Sequence, residues 1–200
     1  MRQSVPSGET PHVARKRLPT ERDYLRPDEV NRLIVAAGKR GRNTVRDVVL
    51  LRLIYRHGLR AKEARLARWS QFDLDNPGTK TIHVQRVKGS EDSTHTLDRD
   101  EVAGLRKLRE VMDGPYVFVS ERGGPISADT VARIVSESAE IAGIGFHVHP
   151  HMLRHSAGHM LADEGLDTRL IQDFLGHRDI RNTVRYTKLS PHRLASVRVR

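Results

Sequence analysis

The chain reads His151-Met-Leu-Arg154-His155, then Leu175-Gly-His177, then Tyr186. Those residue types suit one reaction well, the breaking of a phosphodiester through a covalent intermediate. A phenol oxygen can attack phosphorus, planar cations can hold the oxygens of the crowded transition state, and histidines can donate or accept around it. On a helix the i, i+3 spacing puts His151 and Arg154 on one face, so both can approach a single phosphate.

The string H-x-x-R carries little by itself. It occurs four times, at His12/Arg15, His57/Arg60, His83/Arg86 and His151/Arg154, in a chain with 35 Lys and Arg and 11 His. An exposed basic helix face would give the same string. The copy at 151 stands apart through its company: Gly58-Leu-Arg60-Ala-Lys-Glu63 upstream, Lys88-Gly89 between two β-branched runs, and His177 and Tyr186 downstream.

These residues need elements to hold them. Residues 1 to 26 have three prolines before Tyr24, no apolar periodicity and the cluster Arg15-Lys16-Arg17, which together suggest a flexible basic arm. From Pro27 the apolar spacing becomes helical and predicts a helix to Ala37. Asn43 is in position to cap a second helix through Val48, Leu51 and Tyr55 that Gly58 ends, and a short third helix near Lys62 carries Glu63. Alternation over Ile82, Val84 and Val87, followed by Gly89-Ser90-Glu91-Asp92 and Thr94-Leu97, predicts a β-hairpin with Lys88 near its tip. A helix over 98–112, a strand over 116–120, a Gly123-Gly124-Pro125 turn and a helix over 129–142 follow. Pro150 opens a helix holding His151 to Glu164, and segments 168–175 and 180–187 complete a core that is mainly α with a small antiparallel β-sheet.

Composition narrows the partner. A net charge of +10 and a pI near 10.5 on an otherwise globular chain of 200 residues point to a polyanion, with nucleic acid the first candidate. The length suits one domain, or one domain with a tail. No apolar run approaches the roughly 20 residues that span a bilayer, and no signal peptide is recognisable, so the expected location is the cytoplasm, in association with the nucleoid. Zero cysteines exclude disulfides, thiolate nucleophiles and Cys-ligated zinc.

The ordered set resembles the tyrosine site-specific recombinases, or phage integrase family, over about Leu25 to Leu189. The blocks His149-Pro-His-Met-Leu-Arg-His-Ser156, Gly165 to Arg178 and Thr183-Val-Arg-Tyr-Thr187 look most like the small fimbrial phase-switch recombinases. The resemblance implies the tyrosine recombinase catalytic-domain fold over 27–200, with the arm 1–26 in place of a separate N-terminal clamping domain. It implies a Tyr186 nucleophile that leaves a 3′-phosphotyrosyl bond and a free 5′-hydroxyl, and Arg60 and Arg154 as clamps on the phosphate oxygens. Lys88 would be the general acid for the leaving oxygen, His151 a proton acceptor or phosphate ligand, His177 a hydrogen-bond donor, and Glu63 an orienting group. Arg15, Lys16, Arg17 and Arg86 would touch the DNA backbone, and His155 would be a core or capping histidine. The implied partner is double-stranded DNA with inverted-repeat sites, held by a homotetramer on DNA (a monomer or dimer free) with accessory DNA-bending proteins. No cofactor, metal or ATP is implied, and no membrane.

Other readings compete on the same residues. His151, His155 and His159 at i, i+4, i+8 could bind zinc, but Arg154 between the first two would repel a cation and no H-E-x-x-H string is present. A DNA-binding regulator without catalysis would have the same composition, yet has no need of the nucleophile. A type IB topoisomerase shares the chemistry, and integration or excision of a mobile element would use the same site as inversion.

Overall fold

The computed structural model describes residues 22–87 and 91–188. Its helices are α1 (Pro27–Ala37), α2 (Thr44–Arg56), α3 (Ala61–Arg65), α4 (Arg99–Val111), α5 (Ala128–Ile141), α6 (Pro150–Asp163), α7 (Thr168–Leu175) and α8 (Arg181–Thr187). Strands β1 (Phe72–Asp73), β2 (Thr81–Val84) and β3 (Ser93–Thr96) form one antiparallel sheet in the order β1-β2-β3. The architecture is therefore mainly α with a small antiparallel sheet.

Several helix starts share one device. The acid at the third helical position reaches back to the N–H of the residue before the helix: Glu29 to Arg26 at 2.7 Å, Glu63 to Arg60 at 2.8 Å and Glu101 to Asp98 at 2.9 Å. Each carboxylate satisfies an orphan donor and sits at the positive end of the helix. Asp167 caps α7 by accepting from the N–H groups of Arg169 and Leu170. Asn43 occupies the cap position of α2, but its side chain makes no capping bond; its carbonyl accepts from Asp47 instead.

The main core joins α1, α2, α4, α5, the start of α6 and the sheet through Leu33, Leu50, Leu53, Ile54, Ile82, Leu105, Phe118, Ile134 and Leu153, all essentially buried. A second, smaller cluster lies toward the C-terminus: Leu161, Ala162, Ile171, Leu175 and Tyr186. The segment before Pro27 is not wholly peripheral, because Leu25 is buried and its N–H donates to Ser156 Oγ at 2.8 Å.

Two expectations differ from the structure. No strand forms over 116–120; the segment makes only single-residue bridges, Arg68 to Tyr116 and Val119 to Pro125. Its buried Val117, Phe118 and Val119 give it strand-like composition, while the tight turn at Gly123, with φ +82°, ends pairing after one step. Conversely, β1 and a 3-10 turn at Trp69–Gln71 form where no strand was expected, because Phe72 pairs with Ile82 at the sheet edge.

Under the hairpin a buried polar chain ties sheet to helices. Ser93 Oγ lies 2.9 Å from His95 Nε2, His95 Nδ1 lies 3.3 Å from His57 Nδ1, and the His95 ring stacks on Phe174 with centroids 4.2 Å apart. Residues 88–90, which include Lys88, lie outside the described residues.

The turn after α2 is the point at which packing meets function. Gly58 adopts φ +56°, and a Cβ there would collide with the Leu175 side chain on α7. Gly58→Ala combines left-handed strain with overpacking and is expected to lower stability by about 2–4 kcal/mol in urea unfolding.

Candidate active site

Two arginines share one carboxylate. Glu63, on the first turn of α3, accepts from Arg60 NH1 at 2.6 Å through one oxygen and from Arg86 NH1 at 3.0 Å through the other. The Val87 N–H also reaches Glu63, at 3.3 Å, which anchors the residue just before Lys88. Burial alone would raise the Glu63 pKa, but the hydrogen bonds from Arg60 and the charges of Arg86 and Arg60 outweigh it and hold the carboxyl below its usual value.

Carbonyls at the ends of two helices accept from further guanidinium donors, although Arg86 Nε is buried without a hydrogen-bond partner. Arg154 donates to the Gly58 carbonyl and, at 2.6 Å, to the Leu175 carbonyl, and Arg60 NH2 donates to the Gly176 carbonyl at 3.2 Å. The negative ends of α2 and α7 therefore face the cations. Burial, then repulsion from Arg60 and Arg86, pushes the Arg154 pKa down to about 9, so the group stays charged at neutral pH.

Arg86 departs from expectation. Its guanidinium is 0% exposed and donates to Glu63 and to the Phe174, Gly58 and His57 carbonyls. A side chain enclosed in this way does not reach a DNA backbone; it braces the turns after α2 and α7 from behind. Gly176 makes room for it, since a Cβ at that residue would lie 2.8 Å from Arg86 Nε. Arg15, Lys16 and Arg17, the other expected backbone contacts, lie outside the described residues.

The structure brings His177 and Tyr186 to the same place. His177 follows the left-handed Gly176 that ends α7, its Nδ1 lies 2.8 Å from Thr183 Oγ1, and its ring stacks on Tyr186 with centroids 6.2 Å apart. Burial, followed by the charges of Arg154 and Arg60, pushes His177 down to about 3, so the ring is neutral. His151 is exposed on α6, and burial of part of its ring with the nearby Arg154 lowers its pKa as well.

Tyr186 itself is 1% exposed, and burial raises its pKa against the pull of Arg154 and Arg185. Its hydroxyl lies 2.8 Å from His155 Nδ1. His155, expected as a core or capping histidine, is thus the residue in contact with the Tyr186 oxygen. The sequence signal was the i+4 stripe His151-His155-His159 with Gly158 inside it: a Cβ at Gly158 would lie 2.6 Å from the Tyr186 ring. His159 packs edge-on against that ring at 5.1 Å and stacks on Tyr24 at 3.9 Å, so these histidines line a tyrosine seat rather than a zinc site.

Among the described residues one acidic group has metal-ligand proximity, Asp98, Asp100 and Glu101. The Arg56 guanidinium already sits on it, 2.5 Å from Asp100 and 3.3 Å from Asp98.

A model of the phage integrase family matches residues 23–193. The chain belongs to this family. It is 40% identical over 173 residues to the type 1 fimbriae regulatory protein FimB of Escherichia coli (strain K12), covering 84% of each chain. It is 37% identical over 185 residues to FimE of the same strain, covering 89% of this chain and 91% of the relative. Among solved structures it resembles the XerH site-specific recombinase bound to its difH substrate before cleavage. The TM-score is 0.73 at 25% identity, covering 93% of this chain and 56% of XerH, so the chain spans little more than half of that recombinase. The integrase-family fold and the arginine clasp thus come together in one tyrosine recombinase. Among the described residues no helix is long and apolar enough to cross a membrane.

Acid should loosen this site. His95, His155 and His177 are all pushed from 6.5 to about 3 in the folded chain, chiefly by burial, so the unfolded chain binds more protons between those values. Stability is then full above about pH 6.5 and falls as the pH drops below it. Thermal melting of the full chain is expected to show a Tm flat above pH 7 that already declines by pH 5.5. A decline beginning only near the carboxylate range would contradict the buried neutral histidines.

Proposed function

We propose that the protein is a site-specific recombinase that inverts a DNA element flanked by inverted repeats, with Tyr186 as its nucleophile. The observation that carries this reading is the convergence of Arg60 before α3, Arg154 on α6, His177 after α7 and Tyr186 on α8 on one small volume. Such a clasp has an excess of positive charge that a phosphate would neutralise.

In this reading the Tyr186 oxygen bonds to phosphorus as the bond to the 5′-oxygen breaks. The products are a 3′-phosphotyrosyl link and a 5′-hydroxyl, with the ester's energy kept for rejoining. Arg60 and Arg154 bind the non-bridging oxygens through planar, permanently charged forks, for which lysine would be a poor substitute. His177 donates to the transition state, and His151, at the exposed edge, takes a phosphate oxygen or the phenol proton. Lys88 gives its proton to the leaving 5′-oxygen, and the Glu63 bond to Val87 N–H fixes the residue that precedes it. Glu63 acts by orienting Arg60 and Arg86. The proposed chemistry uses no metal, ATP or other cofactor.

The fimbrial relatives support inversion, as in phase variation, over integration or excision, and the DNA-bound XerH supports a duplex partner. By the same likeness four protomers join two sites, with accessory DNA-bending proteins available to align them. The basic residues before Arg22 supply extra contacts, and the catalytic domain takes in the packed Asp23–Leu25 segment as well as the helices from Pro27 onward. The protein works in the cytoplasm, on the nucleoid.

Covalent trapping on a nicked inverted-repeat site tests the assignment. Tyr186→Phe is expected to bind the DNA and form no SDS-resistant adduct, and Arg60→Ala to slow adduct formation by about 100- to 1000-fold. Adduct formation by the wild type should persist in EDTA, and binding should weaken steeply with salt. A Tyr186→Phe chain that still forms the adduct, or a wild type that needs zinc, would sink the mechanism.

A further inference from the structure

The two groups that must meet one phosphate are covered together, with Arg154 and Tyr186 each 1% exposed. The described state is therefore one in which the nucleophile is put away. Its seat is specific: the Tyr186 ring lies over Gly158, where any side chain would collide with it, and against the edge of His159.

Within this seat the hydroxyl meets a nitrogen lone pair. A buried phenol keeps its proton and needs an acceptor for it, and the partner it has is His155 Nδ1 at 2.8 Å. The tyrosine therefore donates, and the His155 proton is assigned to Nε2. A neutral His155 suits this role, since an imidazolium would have no lone pair to offer.

Three successive residues before α1 close the seat from outside. Asp23 pairs with Arg185, the neighbour of Tyr186; Tyr24 stacks on His159; and the Leu25 N–H donates to Ser156 Oγ. Each contact joins this strap to α6 or α8 on the side where Tyr186 is seated. Tyr186 also belongs to the small C-terminal cluster rather than to the main core, so its departure leaves the larger packing intact.

We propose that His155 is a positioning residue for strand cleavage: by accepting the Tyr186 hydroxyl it stows the nucleophile beneath the Asp23–Leu25 strap, and cleavage requires that seat to open. The inference rests on Tyr186 being the nucleophile, and it assigns His155 a part outside the phosphate clasp.

Nitration by tetranitromethane of the full chain without DNA reads the seat directly, with the Tyr186 peptide compared with Tyr116 by mass spectrometry. In His155→Phe, which keeps the bulk and loses the acceptor, Tyr186 nitration is expected to rise about tenfold. His155→Asn, whose Oδ1 falls near the Nδ1 position, should stay within about threefold of wild type. Asp23→Ala loosens the strap through an exposed ion pair and should raise nitration about threefold, with covalent adduct forming at least as fast as in wild type. It also decides the matter if His155→Phe does not fold. Three results would overturn the proposal: wild-type Tyr186 nitrated as readily as Tyr116, His155→Phe no faster than His155→Asn, or an adduct lost in His155→Phe and recovered in His155→Asn. Failure of the nucleophile assignment is separate, since it appears as an adduct in Tyr186→Phe whatever the nitration rates.

Discussion

Three guanidiniums enclosed in one small volume would repel one another, and the rest of the structure depends on how that repulsion is held in check. One carboxylate, Glu63, lies between Arg60 and Arg86. The carbonyls at the C-terminal ends of α2 and α7 do the remaining work by accepting from Arg154, Arg86 and Arg60. Helix ends present partial negative charge without the hydration cost of a second buried carboxylate. The cluster thus keeps a net positive charge while every guanidinium retains partners, which is the condition a phosphate site needs before its ligand arrives. The same bonds fix geometry: Arg154 joins α6 to the turns after α2 and α7, so the motif residues from 58 to 177 are one mechanical unit.

That positive field dictates the protonation of its neighbours. Arg154 and Arg60 add to burial in holding His177 neutral, and His151 and Arg185 do the same for His155. A neutral imidazole can both donate and accept, whereas an imidazolium would add charge to a place already cationic. Tyr186 feels the opposing pair of effects: burial raises its pKa while Arg154 lowers it. Burial prevails in the closed site. Wetting the ring and bringing it out beside the guanidiniums removes the first term and leaves the second, so exposure and activation of the phenol go together.

Much of this was legible because the chemistry is spread along the chain in a fixed order. Arg60, Glu63, His151, Arg154, His177 and Tyr186 pointed to one place as no single H-x-x-R string could, while Lys88 lies outside the described residues, and helix limits such as 27–37 and 168–175 followed from caps and apolar spacing. Arg86 was misread although its signal was present. Ile82 and Val84 face the core from β2, and Arg86, two residues beyond that strand's end, keeps the same period, which placed the arginine inward as well. Charge suggested solvent, and tertiary partners from two helix ends overruled it. His155 was harder. Its partner is 31 residues away on a separate helix, and only the three-dimensional crossing of α6 and α8 over Gly158 shows that the space beside it fits a tyrosine ring. The 116–120 segment failed for the opposite reason: its composition suits a strand, but no neighbouring strand runs alongside it.

The two clusters of apolar side chains divide the labour of the site. Arg60 and Glu63 stand at the start of α3, rooted by Leu59 and Ala64 in the main core, and Arg154 follows Met152 and Leu153 of the same core on α6. Tyr186 is anchored by five buried residues on the end of α6, α7 and α8, itself included. A smaller cluster opens at lower free energy than the domain as a whole, because fewer apolar contacts are lost. Phosphate-binding cations need fixed positions to stabilise a transition state, while a nucleophile that must attack, remain bonded and then be released needs freedom to move. Placing the first set on the large core and the second on the small one lets one short chain meet both demands. The bonds from Arg154 and Arg86 to the Leu175 and Phe174 carbonyls limit that freedom, because they tie α7 to the fixed side and leave α8 as the element able to travel.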